Sequence, residues 1–392
     1  MGSIPSLPQP VTPEPTPEVD HFGYRVYVSF CLRQPTLTTK NISNWIECYD
    51  PNSHTWSYVS PIPGITDSYV LKGFAMVSLR DSIYIIGGRL CYKEMVHVSD
   101  ELADLVDVKV EVLSTVLRYN VRTDQWSPCA PLQTPRSDFA CTVCNDQIYV
   151  AGGQSTSSNA RGISSAEVYD PTLDEWSSLP SMSALRYKCT GVTWNGKIHV
   201  VSGFAERLDS DWPLRGIVER CSAEVYDPET GRWELRAKMW QLDVPPSQIL
   251  ALDDGRLYSS GDCLKAWKGH IEAYDPEFNM WNIVPGSQQM TRSSAVHPLN
   301  VADGRCSPPI HPLNVAEGTW PPIQPMYVTV APIGTRLYFL VGYRTSGDLP
   351  RTMSMVHMFD TFANANYWKS FGLIEEDGEK EFCSHCCVIQ LS

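Results

Sequence analysis

Phe139-Ala140-Cys141-Thr142-Val143, then Ile148-Tyr149-Val150-Ala151-Gly152-Gly153, then Ala166-Glu167-Val168-Tyr169-Asp170, then Glu175-Trp176-Ser177-Ser178-Leu179: this stretch decides the fold. It holds four short apolar runs, separated by a polar turn at Asn145-Asp146, a variable loop and a turn at Pro171. Runs of that length between turn signals read as strands of one antiparallel sheet. The glycines that end the second run mark a point where backbone must turn or be approached closely.

The same order recurs along the chain. The second run returns as Ile83-Tyr84-Ile85-Ile86-Gly87-Gly88, Ile198-His199-Val200-Val201-Ser202-Gly203, Leu257-Tyr258-Ser259-Ser260-Gly261 and Leu337-Tyr338-Phe339-Leu340-Val341-Gly342. The third and fourth return as six ring pairs: Tyr49/Trp56, Tyr119/Trp126, Tyr169/Trp176, Tyr226/Trp233, Tyr274/Trp281 and Phe359/Trp368. Five pairs share one spacing and the sixth is longer. Asp follows the first ring in all but one, where Asn120 stands. A unit recurring about every 50 residues is a repeat architecture. Its rings are expected to pack between neighbouring sheets, where large side chains bury most area.

A paired glycine after an apolar strand, then Tyr-Asp, then Trp resembles the kelch repeat. The resemblance covers nearly all of residues 23–392 and is best over 136–181 and 186–240. It implies an all-β, six-bladed kelch-type β-propeller, four antiparallel strands per blade around a channel. The ends agree with that count. Tyr24-Arg25-Val26-Tyr27-Val28-Ser29-Phe30 opens as a second strand with no first strand before it. Phe382-Cys383-Ser384-His385-Cys386-Cys387-Val388-Ile389 closes as a first strand with nothing after it. The C-terminal strand is expected to complete the first blade and close the ring, which removes an exposed sheet edge. Ser29-Phe30 replace the glycines there, so that blade departs most from the pattern.

Residues 1–22 are Pro-rich and are expected to form a disordered tail; residues 23–392 form the propeller domain. Loop insertions at 89–113 and 286–325 interrupt the period. The first is acidic, and Asp100 to Val108 is expected to form a short helix. The second repeats His297–Gly304 as His311–Gly318, and its prolines suggest an extended excursion.

Hydrophobic residues make up 43 % and charged residues 19 %, an ordinary globular balance. The net charge of −13 argues against nucleic acid as a partner, since phosphate binding needs a basic surface. No apolar stretch approaches the ~20 residues that span a bilayer. Met1-Gly2-Ser3-Ile4-Pro5-Ser6 fits a myristoylation pattern, but Glu14, Glu18 and Asp20 carry the wrong sign to help a single chain hold a membrane. Stable membrane association is not expected. Thirteen scattered cysteines and no export signal suggest reduced thiols in cytoplasm or nucleus.

Cofactors and metals are expected to be absent. Cys141 and Cys144 lie on a first strand, where residues three apart face opposite ways. Cys383, His385 and Cys387 share a strand face but would need ligands from other blades. Kelch propellers include copper and iron enzymes, yet no matching ligand series occurs here. A cofactor-independent cyclase or isomerase with a small-molecule pocket at the channel mouth is the enzyme alternative.

The loops between second and third strands carry the stronger signal. They hold Arg89, Arg161, Arg207, Trp212, Arg215, Lys265, Trp267 and Arg344, and the turns into the first strands add Arg136, Arg186 and Tyr187. Aromatics among arginines compose an interface hot spot, and on an acidic chain they favour a partner presenting carboxylates. The nearest resemblance is to plant F-box/kelch proteins, whose propeller holds the target of a ubiquitin ligase. The residues before Tyr24 are too few for an F-box or BTB domain. The expected function is therefore a protein-interaction module that binds a target protein or peptide through its basic loop face.

Overall fold

Each ring pair of the repeat is a cross-strand pair. In the computed structural model Tyr49 faces Trp56, Tyr119 faces Trp126, and Tyr169 faces Trp176. Tyr226 faces Trp233, Tyr274 faces Trp281, and Phe359 faces Trp368. Ring centroids stand 4.9–5.3 Å apart, a contact worth about 0.5–1.5 kcal/mol beyond simple burial.

Turn chemistry explains the constant spacing. The residue after the tyrosine accepts main-chain N–H groups two or three positions on, as Asp170 does from Thr172 at 2.8 Å. The tyrosine hydroxyl donates to the residue five positions on: Asp124, Asp174 or Asn279, at 2.6–2.8 Å. Those acceptors have φ between +51° and +55°, which Asp and Asn tolerate better than most residues. Tyr-Asp-x-x-x-Asp-x-Trp is thus a hairpin with its turn built in.

The structure describes residues 23–34, 41–99, 102–157, 161–206, 220–242, 244–260, 270–287, 325–344, 351–363 and 367–391. Six sheets follow one another. Blade 2 runs Ala75–Leu79, Ser82–Ile86, Val116–Asn120 and Gln125–Cys129; blade 3 runs Ala140–Cys144, Gln147–Ala151, Ala166–Asp170 and Glu175–Leu179. Blade 4 is Thr190–Trp194, Lys197–Val201, Ala223–Asp227 and Arg232–Arg236. Blade 5 is Ile249–Ala251, Leu257–Ser259, Glu272–Asp275 and Met280–Ile283. Blade 6 is Pro325–Ile333, Arg336–Arg344, Arg351–Asp360 and Trp368–Asp377.

Blade 1 joins both ends of the chain. Its strands Tyr24–Leu32, Trp45–Asp50 and Thr55–Pro61 receive their inner partner from Lys380–Phe382 and Cys387–Gln390. Phe30 pairs with Phe382, and Val26 pairs with Val388. A six-bladed kelch-type propeller is the architecture, with a buried cluster between each successive pair of sheets. Tyr84, Ile86, Ile148 and Val150 join blades 2 and 3; Tyr149, Ala151, Ile198 and Val200 join blades 3 and 4. Val26, Phe30, Tyr327 and Leu340 join blade 6 back to blade 1. The tryptophans add polar stitches between blades. Trp176 Nε1 donates to Ala130 O at 2.9 Å, Trp233 Nε1 to Pro180 O at 2.7 Å, and Trp281 Nε1 to Met239 O at 2.7 Å.

Three sequence expectations change. The acidic insertion is a hairpin, Arg89–Ser99 paired with Leu102–Val112, and not a helix. Alternating apolar residues such as Val106, Val108 and Val110 suit a strand, and Tyr69–Lys72 extends the hairpin into a third strand. The closing strand is interrupted over 383–386, so Cys383 and Cys387 are buried while His385 is exposed. Those three residues therefore do not share one strand face. Finally, Gly342 does not end its strand. It leaves room for the Tyr327 ring, which an added Cβ would meet at 1.9 Å. The tail 1–22 and both copies of the 297–318 repeat lie outside the described residues.

Candidate functional site

The turns leading into the first strands of blades 2, 3 and 4 are hydrogen-bonded one to the next. Asp138 N donates to Gly73 O at 2.7 Å, and Lys188 N donates to Asp138 O at 2.6 Å. Asp138 and Lys188 take φ of +53° and +52°, which turns each chain from the rim into the blade. The Arg89 guanidinium pairs with the Asp138 carboxylate. Among the described residues of blades 2 to 4, the segments after the second strands thus lie beside the turns before the first strands.

Arg136 and Arg186 do not display their charge there; both are fully buried. Arg136 donates to Gly152 O at 2.9 Å, Ser165 O at 3.1 Å and Glu167 Oε1 at 2.5 Å. Glu167 also accepts the main-chain N–H groups of Gln133 and Thr134, at 2.8 and 3.2 Å. Arg186 repeats the arrangement one blade on, with Ser202 O at 3.0 Å and Glu224 Oε1 at 3.3 Å. Glu224 accepts Ser183 N and Ala184 N. Each Arg carbonyl accepts an N–H from the preceding blade, Gly88 at 2.9 Å and Gly153 at 2.7 Å. These arginines fasten blade to blade and are unavailable to a partner. A buried guanidinium is tolerable only when a counter-charge and hydrogen bonds hold it; at Arg136 they satisfy both terminal nitrogens and leave only Nε without a partner.

The missed signal was the glutamate two residues before four of the five tyrosines: Glu47, Glu167, Glu224 and Glu272, with Leu117 standing before Tyr119. In blade 1 the cation is Lys380, whose ammonium lies 2.6 Å from Glu47 Oε1 and 4.9 Å from the Phe30 ring centre. The clasp therefore recurs at the seam with lysine in place of arginine.

Among the described residues, most of the other cations near this face are paired. Arg344 bonds Glu379, with its side chain 58 % exposed, and Arg33 approaches the same carboxylate at 3.8 Å. Lys72 and Lys93 converge on Glu381, the latter at 2.7 Å, with Asp107 at 3.5 and 3.7 Å. Arg161 is exposed, and the half-buried Tyr187 ring packs 5.2 Å from Phe204. Lys188 is exposed and sits 5.9 Å over Phe204; sequence reasoning missed it because no repeat position marks it. Arg207, Trp212, Arg215, Lys265 and Trp267 lie outside the described residues.

Among the described residues, no three His, Cys, Asp or Glu side chains are grouped to hold a metal ion. The cavity between blades 3 and 4 measures about 10 Å³ and is lined by Val150, Ala166, Val200, Tyr226 and Trp233. That is room for one water at most, so it is a packing gap and not a substrate pocket.

Titration of buried groups gives a pH prediction. Burial holds His199 and His357 neutral, at about 4 against an ordinary 6.5. Their contribution is complete above pH 6.5 and is lost as pH falls through about 4. Burial would raise Glu381, but Lys72 and Lys93 outweigh it and hold the carboxyl at about 2. Its contribution is complete above the ordinary 4.5 and is lost as pH falls toward 2. Burial instead raises Glu376, which acts with the opposite sign. Thermal melts are expected to fall from pH 6.5 to 4 and again below 4.5. Glu381→Gln should flatten only the second decline, and an unchanged acid profile would refute the assignment.

Comparison with known proteins bears on this geometry. The Kelch motif matches residues 38–63 and 135–183. The chain carries kelch repeats and has the kelch-type propeller fold. It is 32 % identical over 204 residues to an F-box/kelch-repeat protein of Arabidopsis thaliana, covering 52 % of this chain and 48 % of that one. A second Arabidopsis F-box/kelch-repeat protein is 29 % identical over 270 residues, 63 % of this chain and 51 % of that one. The Kelch repeat and BTB domain-containing protein 12 of Danio rerio is 26 % identical over 247 residues, 59 % and 36 % of the two chains. The chain spans about half the length of the plant relatives it matches.

Proposed function

We propose that this kelch-repeat protein is an interaction module that holds a target protein or peptide on its loop face. The carrying observation is the run of bonded turns Gly73–Asp138–Lys188 through blades 2, 3 and 4, a rigid rim presenting Lys188 beside Phe204, with Arg344 exposed on blade 6. A rigid rim costs little entropy to dock on. Exposed cations over an aromatic ring suit carboxylates of an acidic peptide. The plant and fish relatives, named for kelch repeats beside F-box or BTB domains, support the reading of an adaptor. The eleven described cysteines are free thiols, in keeping with cytoplasm or nucleus.

A fluorescein-labelled poly-glutamate peptide tests the electrostatics. Lys188→Glu with Arg344→Glu is expected to weaken its binding about tenfold, and 0.5 M salt should do the same. Arg80→Glu, on the opposite face, should leave it unchanged. Equal loss in both variants, or no binding by the parent chain, would remove the loop face from the proposal.

A further inference from the structure

Blades 3 and 4 each close a clasp in which a glutamate grips an arginine from the incoming turn. Blade 5 keeps the glutamate and lacks the arginine. Shared bonds fix the correspondence. Leu132, Met182 and Trp240 are buried and donate their main-chain N–H groups to Ser114 O, Ser164 O and Cys221 O. Four residues on from each stand Arg136, Arg186 and Val244. Glu167, Glu224 and Glu272 lie near the start of the third strands, each two residues before its tyrosine.

The two filled clasps are sealed. Glu167 and Glu224 each accept two main-chain N–H groups besides the guanidinium, and their side chains are 2 % and 1 % exposed. The Glu272 carboxylate differs. Among the described residues its one partner is His270, whose Nε2 lies 3.1 Å from Oε1. The His270 and Glu272 side chains are 18 % and 21 % exposed, so solvent reaches this clasp. His270 stands where Ser165 and Ser222 stand in blades 3 and 4. An ionised carboxylate offers about four acceptor sites, and a single imidazole leaves most of them open.

We propose that Glu272, held by His270, is a binding site for an arginine side chain of the target, which enters the clasp that blade 5 leaves open. The target itself belongs to the reading of this chain as an interaction module, on which the site rests. A guanidinium is the group that the repeat already accommodates in two other blades. Its planar fork meets a carboxylate through two parallel N–H···O bonds, whereas a lysine ammonium offers only a point charge. The partner is thereby narrowed. It presents acidic groups to Lys188 of blade 4 and Arg344 of blade 6, and one arginine to the blade that separates them.

Val244→Arg supplies the guanidinium from within the chain. Its expected effect is a melting temperature raised by a few degrees, a gain that Glu272→Gln in the same chain cancels. A fluorescein-labelled glutamate peptide with one central arginine should bind the parent chain about fivefold more tightly than its citrulline twin, as a half-exposed ion pair allows. Citrulline keeps the shape and loses the charge. Val244→Arg and Glu272→Gln should each erase that preference. No gain in Val244→Arg, or a gain that survives Glu272→Gln, would overturn the site. So would equal affinity for the two peptides, which leaves the glutamate contacts of the loop face standing. A parent chain that binds neither peptide would remove the module reading instead, and the melts alone then decide Glu272.

Discussion

Glu167→Ala is expected to cost about 3–5 kcal/mol, the range for cutting one partner from a buried ion pair. The substitution leaves the Arg136 guanidinium fully enclosed beside Gly152 and Ser165 with no counter-charge. It also strands the N–H groups of Gln133 and Thr134, each a further cost when buried. Chemical denaturation measures the loss directly. Arg136→Met with Glu167→Leu is the informative companion, because removing both charges should recover most of it. Equal destabilisation by the single and double variants would show that shape, and not charge, fastens this blade.

Ending the chain at Gly378 is expected to have the larger effect. The truncation removes the inner strand of blade 1, and with it buried Lys380, Cys383, Cys387 and Ile389. Glu47 loses its ammonium, and Tyr24–Leu32 gains an open backbone edge at the seam. The combined loss should exceed the ~5 kcal/mol that marks an exceptional single substitution. Aggregation on size-exclusion chromatography and loss of a cooperative melt are the expected readouts. A peptide of residues 379–391 added in trans should restore part of the melt. A truncated chain that melts like the parent would mean that blade 1 holds without its closing strand.

Much of the fold was legible because it is local. The tyrosine, the acid that follows it and the tryptophan form one hairpin, so their spacing survives in sequence whatever the blades do. The complementary ends were legible for a related reason: a strand missing from one end and left over at the other can pair in one way. The acidic insertion misled because its charges suit a helix surface as well as a two-sided hairpin, and only pairing with Tyr69–Lys72 decides between them. The Cys383–Cys387 stretch misled because alternation presumes an unbroken strand.

The site was less legible. Counting arginines in loops grouped them toward one end of the blades, but side-chain destination is a tertiary property. Arg136 and Arg186 read as surface cations until Glu167 and Glu224, some thirty to forty residues away, draw them inward. Lys188 carries no repeat signal and becomes prominent only because Asp138 of the neighbouring blade holds its turn. Blade number and strand order are thus determined by the sequence itself, through hairpins whose contacts are close in the chain. Which charges are buried as clasps and which stay on the rim are decided by the tertiary structure. Those contacts join residues up to 333 positions apart, and no local pattern encodes such a distance.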